Sequence, residues 1–147
     1  MISIDTTFLI DLYWQDSPRH KSAMELFNKL ADESGDYKNE EIIVYYNCFN
    51  EFIHVITDSR RFENAMSMKE ALSVAEQWRD IENVRIVYPD DSSYARALTW
   101  LSIYQLGRNR LNDTNMAACY ASSGASKIIT ANPKDFEIFE VLETLGY

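Results

Sequence analysis

The residues of this chain best suited to chemistry are acids placed at the edges of predicted elements. Asp5 directly follows the apolar run Ile2-Ser3-Ile4 and precedes Thr6 and Thr7. A carboxylate there closes a buried strand and points into any cleft at the strand's end. Asp-Thr-Thr is also a good plain helix N-cap. Asp113 opens an alanine-rich helix with Met116, Ala117, Ala118 and Ala121. A helix N-terminus favours an ionised acid there, whether it caps the helix or binds a cation. Glu51 sits nearly opposite the apolar stripe Phe49, Phe52, Ile53 and Ile56, spaced i, i+3, i+4, i+7. Glu51 either shares a wet face with Asn47, His54 and Asp58 or faces a cleft, and the sequence leaves both open. Arg108 and Arg110 precede Asp113. They are candidates to hold a substrate phosphate, or else they solvate an exposed loop.

Other chemistries lack their parts. The chain has no GxxxxGK[ST], GxGxxG or G-x-S-x-G, so phosphate-loop, dinucleotide and nucleophile-elbow sites are not indicated. Two cysteines and two histidines cannot build a zinc site. Cys48 and Cys119 read as buried thiols. Glu51-x-x-His54 is half of a di-iron signature, but no second Glu-x-x-His exists. What remains is carboxylates. Clustered near neutral pH they need a cation, and oxygen-only donors select Mg²⁺ or Mn²⁺.

The elements that must position these acids alternate in type. Ile2–Ile4 reads as a strand and residues 6–14 as a helix. Ser17-Pro18 starts a second helix, which runs past Leu30 to a turn at Gly35. Residues 41–46 read as a strand, and Asn47 caps a helix from about Cys48 to Arg60. A further helix spans about Ser67–Ile81, and Val84–Val87 is a third strand. Pro89-Asp90-Asp91-Ser92 caps a helix reaching Leu106 and ended by Gly107. Asn112-Asp113 opens a helix ending near Gly124, and Lys127–Thr130 is a fourth strand. The tail, 137–147, is ambiguous between strand and short helix. Strands separated by helices predict an α/β fold with a parallel sheet and helices on both faces. Sites in such sheets lie beyond the carboxyl ends of the strands, where Asp5, Thr130 and Asn132 fall.

Composition bounds the function. The 147 residues are 46% hydrophobic and 25% charged, with four glycines and three prolines, as in one soluble globular domain spanning 1–147. No leader segment or membrane-crossing run is visible, which leads to an expectation of a cytoplasmic protein without a membrane partner. The net charge of −9 repels nucleic acid unless the acids bind divalent cations. Three tryptophans and nine tyrosines exceed what a small core requires, making a homodimer a further expectation.

Three blocks together resemble the PIN-domain family. Ile2-Ser-Ile-Asp5-Thr-Thr-Phe-Leu-Ile-Asp-Leu12 looks like its opening strand, aspartate and helix. Ile42 to Ile56 looks like its strand, helix and inward-pointing glutamate, here Glu51. Asn112-Asp113 through Gly124 to Thr130-Ala-Asn132-Pro-Lys-Asp135-Phe136 is similar to its aspartate-led helix, strand, Thr-x-Asn/Asp and Asp-Phe. The resemblance implies a three-layer α/β/α fold around a parallel sheet of four or five strands. It also implies a metal-dependent ribonuclease, often the toxin of a VapBC-type pair with an antitoxin partner. Asp5, Glu51 and Asp113 match the family's catalytic, metal-binding acids, with Mg²⁺ or Mn²⁺ as the implied cofactor. Asn132 stands where the family often has a fourth acid, with Asp135 nearby as a partial substitute. Thr7 stands where Asn is common. Thr7, Thr130, Asn132 and Asp135 are the implied supporting residues. The rival readings are a depleted RNA- or protein-binding module of the same fold, or another Mg²⁺-dependent α/β phosphatase or receiver domain. Thr7 replaces the second aspartate that a dehalogenase-type phosphatase needs.

Overall fold

A computed structural model describes residues 1–32 and 34–147. Among the described residues, five parallel strands form one sheet: β1 (Ile2–Ile4), β2 (Ile42–Tyr45), β3 (Val84–Val87), β4 (Lys127–Ile129) and β5 (Glu143–Leu145). Their order across the sheet is β3-β2-β1-β4-β5. The central strand β1 sets the register, with Ile4 opposite Val44 on one side and Ile129 on the other. All three β1 residues are buried. Ser3 avoids an unpaired hydroxyl by donating to the Lys127 carbonyl at 2.8 Å.

The helices are α1 (Thr6–Tyr13), α2 (His20–Ala31), α3 (Tyr46–Ile56), α4 (Met68–Asp80), α5 (Asp91–Ile103), α6 (Leu111–Ser122) and α7 (Lys134–Glu137), with a 3₁₀ turn at Arg108–Arg110. Parallel connections are right-handed. The chain steps from β1 to β2 to β3 in one direction, so α1 to α4 lie on one face. It then crosses back to β4 and β5, which puts α5, α6 and α7 on the other. The result is three layers, as the alternation of elements predicts. The sheet order reverses between β1 and β4, and ligand clefts form at that switch point.

The boundaries show what local signals miss. The second helix begins at His20, two residues after Pro18, because Ser17 is drawn inward to donate to Asp11 at 2.5 Å and accept from the Arg19 amide. Helix α3 begins at Tyr46, so Asn47 lies inside its first turn and does not cap it. Helix α5 ends at Ile103 and its exit is made by Gln105 at φ 51°, whereas Gly107 is extended at φ −81°. The ambiguous tail contains both a helical end and a strand, since α7 finishes at Glu137 and β5 pairs with β4. A capping box closes the start of α4, with Ser67 and Glu70 bonded reciprocally. Both cysteines are buried and unpaired.

Candidate active site

Asp5 occupies the N-cap position of α1, yet its side chain makes no capping hydrogen bond. The carboxylate turns across the switch point instead. Its Oδ2 accepts from Thr7 Oγ1 at 2.7 Å and from Thr130 Oγ1 at 2.8 Å. Thr130 follows β4, so one oxygen of Asp5 is pinned by residues from both neighbouring strand ends. The same two threonines order the loop beyond β4, where Thr7 Oγ1 accepts from the Ala131 amide and Thr130 Oγ1 from the Asn132 amide.

Glu51 is half-buried, while Asn50 and His54 beside it on α3 are exposed. It faces the cleft and is held from both layers. Its Oε2 accepts from Thr6 Oγ1 on α1 at 2.8 Å and from Asn112 Nδ2 on α6 at 3.0 Å. Asp113 lies in the first turn of α6. Its Oδ2 is 3.6 Å from Arg110 Nε, and Arg110 also reaches Asp135, with Nη1 3.5 Å from its carboxylate and Nη2 donating to its carbonyl. Arg110 Nε is buried without a hydrogen bond of its own. Its nearest acid is too distant for one, so the contact is electrostatic.

These residues line one cleft of about 160 Å³. Asp5, Glu51, Asp113 and Asp135 face it together with Thr6, Thr7 and Asn132, and Ile10, Val55 and Phe136 form its apolar walls. Thr130 supports Asp5 from behind. Arg108 is exposed on the 3₁₀ turn, while Arg110 is committed to Asp113 and Asp135.

The electrostatics show that the acids sense one another. Burial pushes the Asp5 carboxyl up from its ordinary range. The hydrogen bonds from Thr7 and Thr130 oppose that rise, and the Glu51 charge adds to it. Asp113 is pushed up to about 6, first by burial, then by repulsion from Asp5 and Asp135, against the pull of Arg110, with Glu51 also raising it.

Among the described residues, no three His, Cys, Asp or Glu side chains stand close enough to hold an ion as arranged. Glu51 is drawn to Thr6 and Asn112, and Asp113 to Arg110. The donor chemistry nevertheless fits a hard divalent cation, since every acid facing the cleft offers oxygen. Each of the three has one oxygen engaged. The second oxygen of Asp5, Glu51 and Asp113 has no side-chain hydrogen-bond partner among the described residues.

Thr6 and Asn112 are the residues that sequence reasoning passed over as support for Glu51. Thr6 looked like part of a helix start and Asn112 like a cap. Only their hydroxyl and amide donor chemistry beside two candidate acids hinted at more.

The family model of the PIN domain matches residues 2–140. The chain belongs to the PIN-domain family. Solved structures share this PIN fold across nearly the whole chain. VapBC-1 from nontypeable Haemophilus influenzae has a TM-score of 0.67 at 20% identity, covering 99% of this chain and 98% of that one. Mycobacterium tuberculosis VapC20, described as a sarcin–ricin loop cleaving toxin, has a TM-score of 0.66 at 19% identity, covering 87% of each chain. Rickettsia felis VapBC2, bound to a promoter DNA fragment, has a TM-score of 0.65 at 16% identity, covering 100% of this chain and 99% of that one. No curated protein matches the sequence. Asp5, Glu51 and Asp113, one from each of the opening, middle and late blocks, all line the cleft.

Proposed function

We propose that this PIN domain, residues 1–147, is a divalent-metal-dependent endoribonuclease and the toxin half of a VapBC-type pair. The observation that carries this is that Asp5, Glu51 and Asp113 reach one cleft from three different elements at the switch point of the sheet. The similarity to VapC20, a toxin that cleaves the sarcin–ricin loop, supports RNA as substrate. The VapBC complexes among the similar structures support an antitoxin partner. A homodimer and a cytoplasmic location complete the proposal. No helix among the described residues is long and apolar enough to cross a membrane.

Asp5, Glu51 and Asp113 would hold Mg²⁺ or Mn²⁺. When bound, such an ion supplies Lewis acidity, which lowers the pKa of an attacking water and screens the phosphate charge. The chain's own contribution is placement. Thr7 and Thr130 hold Asp5 to one orientation, so little ordering remains when a phosphodiester docks. Ile10, Val55 and Phe136 exclude bulk water from one wall, which strengthens charge interactions inside. Arg108, exposed on the 3₁₀ turn before α6, would meet a backbone phosphate. Arg110 balances Asp113 and Asp135. Asn132 offers an amide oxygen where a fourth carboxylate would add charge. This last feature favours a second reading, an RNA-binding PIN module with weak catalysis.

Incubating the protein with a sarcin–ricin-loop oligonucleotide and a panel of structured RNAs in Mg²⁺ or Mn²⁺ tests both readings. Cleavage that disappears in Asp5→Asn, with the fold intact by circular dichroism, is the expected result. Binding without cleavage by the parent supports the module. Equal cleavage by parent and Asp5→Asn removes the active-site assignment.

A further inference from the structure

Glu51 is reached by a chain of amides whose polarity runs in one direction. Asn50 Nδ2 donates to Asn47 Oδ1 at 3.3 Å, Asn47 Nδ2 donates to Asn112 Oδ1 at 2.8 Å, and Asn112 Nδ2 donates to Glu51 Oε2 at 3.0 Å. A primary amide has two faces of opposite character, one donating and one accepting. Turned the other way, Asn112 would present its carbonyl oxygen to a carboxylate, an arrangement of like partial charges. Asn47 blocks that turn, because its own N–H group already occupies Asn112 Oδ1.

The connection spans both helical layers. Asn47 and Glu51 are four residues apart on α3, so they share one side of that helix, while Asn112 projects from the first turn of α6. The contact therefore ties the rotamer of Glu51 to the spacing between α3 and α6. Thr6, from α1, donates to the same Oε2. Two donors on one oxygen leave Oε1 as the oxygen free of side-chain partners.

Building on the ribonuclease assignment, we infer that Asn112 is a positioning residue for Glu51, and that Asn47 acts through Asn112 by fixing which face of its amide meets the carboxylate. Neither asparagine offers the cation a ligand in this role. Partners of this kind orient the groups that hold a metal and typically alter metal affinity or activity by about 10–100-fold when removed.

The test uses Mn²⁺ calorimetry, steady-state cleavage and thermal melts of the metal-free protein for parent, Asn112→Ala, Asn47→Ala and the double variant. Asn112→Ala is expected to weaken Mn²⁺ binding about tenfold or more, with a matching fall in kcat larger than any change in KM and little change in melting temperature. Asn47→Ala is expected to weaken binding less. The double variant should match Asn112→Ala alone, since residues acting in series are not additive. Parent-like Mn²⁺ affinity in Asn112→Ala overturns the inference, and so do additive losses in the double variant. Should Asn112→Ala fail to fold, Asn47→Ala must still weaken binding, or the inference fails.

A metal-independent readout separates this inference from the ribonuclease assignment. The side-chain amide resonances of Asn112 in the metal-free protein should move in both Glu51→Gln and Asn47→Ala. If they move while the parent neither binds Mn²⁺ nor cleaves RNA, the ribonuclease assignment has failed and the positioning of Glu51 stands. If they move in neither variant, the positioning itself is wrong.

Discussion

Asp5 and Thr130 lie 125 residues apart in the chain, and a 2.8 Å hydrogen bond joins them in the fold. Thr130 is 1% exposed and its hydroxyl serves two groups, donating to the carboxylate and accepting from the Asn132 amide. Thr130→Val keeps the shape and removes both bonds, leaving a buried carboxylate with less compensation. A loss of about 1–3 kcal/mol is expected in urea denaturation, with most of it recovered in Thr130→Ser. Thr130→Val as stable as the parent would show that Asp5 does not depend on that hydroxyl.

Asp113 costs the metal-free protein stability at neutral pH. Its carboxyl is raised from 3.8 to about 6 in the fold. Between those values the folded state therefore holds more protons than the unfolded chain. By linkage, stability then falls as pH rises through that window, and the penalty is fully present above about 6. Asp113→Asn removes the penalty. Its side chain is 28% exposed, so after allowance for screening the gain is on the order of 1–2 kcal/mol at pH 7. Melting curves should show the variant more stable than the parent at pH 7 and the gap narrowing towards pH 4. Cleavage should be lost in the same variant, and Mn²⁺ should stabilise the parent more than the variant. A variant less stable than the parent at pH 7 would contradict the penalty that burial and the neighbouring acids impose on Asp113.

Asp11 ties α1 to the turn that precedes α2 and to Tyr147. It is 2% exposed, and it accepts from Ser17 Oγ at 2.5 Å, Arg19 Nε at 2.7 Å and Tyr147 Oη at 2.7 Å. The ring of Tyr147 also packs edge-on against Phe8 at 5.2 Å, which ties the end of the chain to the helix that follows Asp5. Asp11→Ala strands three donors and is expected to cost about 2–4 kcal/mol by chemical denaturation. Tyr147→Phe keeps the ring contact and should cost only about 1 kcal/mol. Equal losses in the two variants would place the stabilisation in the Tyr147–Asp11 hydrogen bond alone.

Gly124 follows α6 at φ +86°, and a Cβ added there would lie 3.0 Å from Met1 Cε. Gly124→Ala meets a left-handed backbone penalty of about 1–2 kcal/mol. The contact with the flexible end of Met1 adds less. A lower melting temperature with cleavage preserved is the expected result. An unchanged melting temperature would mean that the turn relaxes to accept a side chain.

The order of strands and helices was legible from the sequence because it rests on local rules. Apolar runs such as Ile42–Val44 have nowhere to go but a buried strand, and Ser67 with Glu70 forms a cap through bonds three residues apart. Asp5, Glu51 and Asp113 could be singled out in the same way, by type and by place at the edge of an element. Their competing roles as caps or wet-face residues could not be decided locally, because each role satisfies the same short-range chemistry. Tertiary structure decided them. The reversal of strand order between β1 and β4 brought Thr130 to Asp5 and left its carboxylate uncommitted to capping. The approach of α6 to α3 gave Glu51 the amide of Asn112, a partner 61 residues away. Beside local bonds such as Thr7 to Asp5, the cleft is oriented by bonds from Thr6 to Glu51 and from Thr130 to Asp5 that span 45 and 125 positions. No periodicity within a single element can encode such contacts, because they exist only once the layers have packed.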